Sequence, residues 1–158
     1  VFLLTVHGTP APQGSKTRNR AGALYESSPA VKPWREAVKH AALDALAHDD
    51  GWKPLNEAVR LEVVFTFRRS KGHYGTGRNA GTVKASAPAH PTGKPDLDKL
   101  IRSTQDALTD AGVFADDSRV TAVFAAKAYV LTGADALAHP GAVIRIWRQT
   151  TPSKESES

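Results

Sequence analysis

From Asp96 to Gly112 the apolar and small residues Leu97, Leu100, Ile101, Thr104, Ala107, Leu108 and Ala111 recur at intervals of three and four. That spacing fits one face of an α-helix and no strand, so the segment has to be helical and has to bury that face. Gly112 stands where such a helix ends, and Asp96 where it begins. One apolar stripe needs a surface to cover. "AVRLEVVFTFRR" supplies an alternating strand with Leu61, Val63, Phe65 and Phe67 on one side, and "VFLLTVHG", "RVTAVFAAKAYVL" and "AVIRIWRQT" read as three more strands. A second helical stripe, Trp34, Ala37, Val38, Ala41, Ala42, Ala45 and Leu46, begins near Ser28 with Pro33 in its first turn. The order β-α-β-loop-α-β-β predicts an α+β fold, a small mixed β-sheet with two packed helices.

No repeat and no internal boundary interrupts residues 1–150, which are read as a single domain, with 151–158 as a disordered tail. "TPAPQGSKTRNRAG" is rich in turn residues. Ser70 to Gly93 has no usable period and is read as a mobile basic loop. Between Glu62 and Asp96 lie six Lys or Arg and no acid. A solvated linker explains its central part as well as a functional loop does; Arg68, Arg69 and Lys94 border ordered elements.

Several function classes fall away. With no cysteine there are no disulfides, thiolate nucleophiles or Cys-based zinc sites. No apolar run approaches the roughly 18 residues of a membrane span, and "VFLLTV" is too short for a signal-peptide core, which predicts a cytoplasmic protein. The histidines (His7, His40, His48, His73, His90, His139) show no paired ligand spacing, and neither a phosphate-binding Gly-x-x-x-x-Gly-Lys loop nor a Gly-x-Ser-x-Gly elbow occurs. A net charge of +5 and a pI near 9.6 point to a polyanionic partner, most often nucleic acid.

Against that basic background, residues 92–120 hold six aspartates. Each alone has an ordinary reading. Asp96 can cap a helix, Asp98 can favour its macrodipole and pair with Arg102, and Asp106 and Asp110 can face water. Together they suggest more. Capping needs one carboxylate, yet Asp96 and Asp98 flank Leu97, and Asp116 and Asp117 follow where the chain turns into a strand. A strand running back beside the helix can return a carboxylate toward Asp96. Repelling carboxylates are costly to gather without a cation, and oxygen-only ligation favours magnesium or manganese over zinc. Asp98 is followed by Lys-Leu, which excludes an EF-hand.

The run "KPDLDKLIRSTQDALTDAGVFADDSRV" resembles the signature of the RusA-type Holliday junction resolvases, endodeoxyribonucleases common in phages and prophages. "GTPAPQGSKTR" is similar to the family's Gly-x-Pro-x-Pro opening with basic residues behind it. The resemblance implies that Asp96, Asp98 and Asp117 are the metal-binding, catalytic carboxylates, with Asp116 an acidic neighbour and Asp106 in a supporting position. Lys99 stands where the family has Asn, and Arg102 where it has a functional lysine. Arginine keeps the charge and can hold a phosphate, but it does not readily give up a proton. The implied cofactor is Mg2+, with Mn2+ as a substitute. The implied partner is branched DNA, a four-way junction, cut in pairs by a homodimer inside a bacterial or phage-infected cell. Lys16, Arg18, Arg20, Arg68, Arg69 and Lys94 would carry the DNA backbone. Alternatives are a branched-DNA or flap endonuclease of relaxed specificity, a non-catalytic DNA-binding module, and an RNA-binding packaging protein.

Overall fold

β4 (Val59–Phe67) lies inside the sheet because alternate residues, Val59, Leu61, Val63 and Phe65, are all apolar and nearly fully buried. The computed structural model describes residues 2–14, 16–18, 20–22, 24–26 and 29–149. The other strands of this sheet are β1 (Phe2–His7), β5 (Val120–Tyr129) and β6 (Gly141–Arg148), in the order β1-β6-β4-β5. β6 pairs antiparallel with β1 and β4, with Leu4 opposite Ile144 and Val63 opposite Ile144. β4 and β5 are parallel, with Leu61 opposite Val123 and Phe67 opposite Tyr129. A parallel pair requires the intervening chain to cross back over the sheet. Here that crossover contains the long loop and the acid-bearing helix.

The helices are α1 (Val31–Leu46) and α2 (Leu97–Asp110). Val31, Trp34, Val38 and Ala42 of α1 and Leu100, Ala107 and Leu108 of α2 are buried, and most join one core with the inward residues of the sheet. Trp34 packs on Phe65 with ring centroids 6.4 Å apart, and its Nε1–H donates to Thr104 Oγ1 at 3.2 Å. That bond lets a fully buried threonine sit in the apolar stripe without an unsatisfied hydroxyl. The architecture is the expected α+β fold with its β-α-β-α-β-β order and mixed sheet.

One addition was not legible. The turn-rich segment after β1 contains β2 (Lys16–Arg18) and β3 (Leu24–Glu26), paired antiparallel apart from the main sheet. Three-residue strands are too short for an alternation to register. Ahead of β2 the chain lies along α2. Ser103 Oγ–H donates to Ala11 O at 2.7 Å, and Gln13 N–H donates to Lys99 O at 3.1 Å. The tail, 151–158, lies outside the described residues.

Candidate active site

α2 starts and stops as its sequence dictates. Asp96 occupies the N-cap with extended backbone (φ −70°, ψ 139°). Its carboxylate accepts no capping hydrogen bond and pairs instead with Lys99, 3.8 Å away. The side chain of Asp98 is exposed in the first turn and makes no hydrogen bond or ion pair among the described residues. At the other end Gly112 has φ +81°, Val113 N–H donates to Leu108 O, and Gly112 N–H donates to Thr109 O. This is a Schellman closure, which positive φ at Gly112 permits.

Beyond it, Leu55 fixes the chain. Leu55 N–H donates to Val113 O at 3.0 Å, and Ala115 N–H donates to Leu55 O at 2.8 Å. Asp116 then opens a short 3-10 turn, Asp117–Arg119, by accepting from Ser118 N–H at 2.9 Å. The side-chain and backbone bonds from Ser118 hold the Asp116 carboxyl below its ordinary range. Asp116 thus serves the turn that presents Asp117.

Asp117 points back onto α2. It accepts from the Thr109 hydroxyl and lies against Asp106. Burial, and then the hydrogen bond and charge of Asp117, hold the Asp106 carboxyl above its ordinary range, while Arg35 and Arg102 pull it down. Arg35 of α1 also pairs with Asp110 at 2.9 Å. Arg102 is exposed, one turn past Asp98 and one turn before Asp106. It therefore separates two pairs of acids, Asp96/Asp98 and Asp106/Asp117. A groove of about 480 Å³ runs between the helices here, lined by Lys32, Arg35, Lys39, Arg102 and Asp106 among others.

Asp117 is not carried to Asp96. Asp98 and Asp106 are eight residues apart on α2, which is about 12 Å along the axis. No cluster of three or more His, Asp or Glu suited to a metal forms among the described residues. β5 does run back along α2, but what it returns is a cation: Lys127 Nζ donates to Gly93 O at 2.8 Å and to Pro95 O at 3.0 Å, just ahead of Asp96.

The basic residues divide as well. Arg20, Arg68 and Lys94 are exposed, and Arg68 and Lys94 line a cleft of about 220 Å³ with Lys127. Arg69, expected on the DNA, is instead only 8% exposed. Its guanidinium lies 4.3 Å from the Tyr129 ring centre and donates to Pro88 O at 2.7 Å. The side chains of Lys16 and Arg18 lie outside the described residues.

Sequence reasoning missed Thr109, Arg35 and Lys127. Only Thr109 had a signal, its three-residue spacing from Asp106 on one helix face.

A family model for endodeoxyribonuclease RusA matches residues 7–137. The chain belongs to the RusA endodeoxyribonuclease family. The match extends from the end of β1 through α2 and β5 to the connector before β6, so it covers both acid pairs. No curated protein matches the chain. Among the described residues one copy offers a hard divalent ion a pair of carboxyls rather than a full acidic cluster. Asp106 and Asp117 are two carboxyls with a hydroxyl beside them, held together although the contact raises the pKa of Asp106. Magnesium is commonly held by one or two carboxylates, with water and substrate phosphate completing its shell.

Proposed function

We propose that this RusA-family nuclease is a magnesium-dependent endonuclease that resolves four-way DNA junctions by paired cleavage, and that each site is assembled from two copies of the chain. The observation that supports this reading is the split of the acids into two pairs about two helical turns apart. β5 is an edge strand antiparallel to α2, bonded only to β4 among the described residues. A second copy set against that edge by a two-fold axis runs its α2 the opposite way. The Asp96/Asp98 end of one copy then faces the Asp106/Asp117 end of the other. A four-way junction has two-fold symmetry of its own, so two such sites match its two opposed strands.

Asp96, Asp98 and Asp117 would hold the ion, with Asp106 beside them. Bound there, magnesium supplies charge stabilisation for a phosphodiester in displacement and lowers the pKa of water. The chain's own residues do the rest. Arg102, exposed between the pairs, orients the scissile phosphate and offsets its growing charge. Thr109 fixes the Asp117 carboxylate, and Arg35 holds Asp110 away from the pair. Arg68, Lys94 and Arg20 track the backbone on either side. Because guanidinium keeps its proton, Arg102 acts through charge and hydrogen bonding and leaves proton transfer to other groups.

The test is cleavage of a labelled synthetic four-way junction with magnesium, beside a flap and a linear duplex. Asp98→Asn and Asp117→Asn are each expected to be inactive. Their mixture is expected to regain single-strand nicking, because one of the two shared sites then has both aspartates. A mixture as dead as its parts would place each complete site within one chain. Equal cleavage of flap and junction would replace the resolvase by a general branched-DNA endonuclease.

A further inference from the structure

The stretch from Ser70 to Gly93 carries no part of the chemistry assigned so far, yet it is built. Lys84 N–H donates to His73 O at 2.8 Å, Gly75 N–H donates to Thr82 O at 2.9 Å, and Tyr74 bridges Val83 in antiparallel fashion. A 3-10 turn, Gly77–Asn79, closes the tip. A side chain at Gly75 would come within 2.7 Å of Asn79, so glycine is what lets the tip fold so tightly. The result is a narrow hairpin that exposes Lys71, Arg78 and Lys84.

Its base is fixed from beneath. Arg69 is buried against Tyr129 and Pro88 O, and His73 meets the same Tyr129 ring edge-on at 5.3 Å. Lys127, two residues earlier on β5, holds Gly93 and Pro95. Burying a guanidinium is unfavourable unless it is well bonded, so a passive linker gives no reason for this anchoring. Asp96 follows Pro95 directly. Lys71, Arg78 and Lys84 form no ion pair among the described residues.

We infer that residues 71–84 form a basic finger that grips the DNA sugar-phosphate backbone next to the strand held at Asp96 and Asp98, through Lys71, Arg78 and Lys84. This rests on the nuclease reading and adds to it a binding element with a fixed position. Its contacts are with phosphates, because ammonium and guanidinium groups on a solvent-facing hairpin meet backbone charge and carry no base code. Arg69 is a positioning residue for the finger and touches no DNA itself.

The experiment compares the unaltered protein with Arg78→Gln/Lys84→Gln, binding a labelled four-way junction without divalent metal across a series of salt concentrations. Each lost phosphate contact reduces the slope of log K against log salt by about 0.9. The double variant is expected to lose one to two such steps and to bind at least about tenfold more weakly at moderate salt. Lys53→Gln/Arg148→Gln removes the same charge at the far end of the sheet and is expected to leave the slope within one step. Arg69→Met is expected to reproduce much of the finger variant's loss, and adding Arg78→Gln to it is expected to cost little more. A finger variant with the parental slope, or one matched by the far-end control, overturns the finger. Failure of the unaltered protein to bind or cut any DNA would instead overturn the nuclease reading.

Discussion

Asp106 is where folding and function pull apart. Half-buried beside Asp117, its carboxyl is held above the ordinary value of 3.8, so the folded chain binds this proton more tightly than the unfolded chain does. The stability linked to it is present below the ordinary value and is lost as pH rises through the raised one. Asp106→Asn, which removes the charge and keeps the shape, is therefore expected to melt higher than the parent at neutral pH. The gap should close in acid, where the parent carboxyl is protonated, and thermal melts across that range would check it. A variant less stable at neutral pH would mean that Arg35 and Arg102 outweigh the repulsion. How legible such details were differs from residue to residue. Asp96 and Asp98 announced themselves by spacing, while the fate of Arg69 was hidden by its twin, Arg68. Continuing the alternation of β4 beyond Phe67 puts 69 on the buried side and 68 on the exposed side, so a signal existed. Lys127 had none, since its carbonyl partners lie more than thirty residues away.

At the scale of elements, the position of Asp117 is set by how α2 ends. The Schellman closure at Gly112 and the two bonds to Leu55 leave only a short path from Val113 to Asp117. The helix itself was readable because its stripe, its start and its stop agreed. The place of Asp117 was not, because it depends on Leu55, which comes before β4 and pairs with Phe114 across the chain. Gly112→Ala tests this coupling. Its φ of +81° is unfavourable for alanine, although the added Cβ would meet only Pro54 at 3.8 Å. The expected cost is about 1–2 kcal/mol in denaturant unfolding. Cleavage should fall further than that stability loss explains, since the turn bearing Asp117 shifts with it. Unchanged cleavage per folded molecule would separate the helix end from the site.

At the scale of the whole molecule, the proposed two-copy site would make concentration a control on activity. Sedimentation of the unaltered chain is expected to give a dimer at the concentrations where both opposed strands are cut. Dilution should reduce cleavage faster than linearly as copies separate. A monomer that cuts at a rate strictly proportional to its concentration would contradict the two-copy site.

The parallel pairing of β4 with β5 has a kinetic side. Nearly all the groups assigned to chemistry lie on the one crossover between those strands, while Asp117 meets Asp106 beside the start of β5. Closing so long a loop is among the slower events available to a small domain. The antiparallel pairing of β4 with β6 encloses the same crossover and β5 as well, so both partners of β4 wait on long-range closure. A chain emerging from synthesis or refolding therefore fixes the turn that bears Asp117 only when Leu55 has met Val113 and Ala115 across the long stretch between them. Nuclease activity then becomes a report on long-range folding as well as on the site.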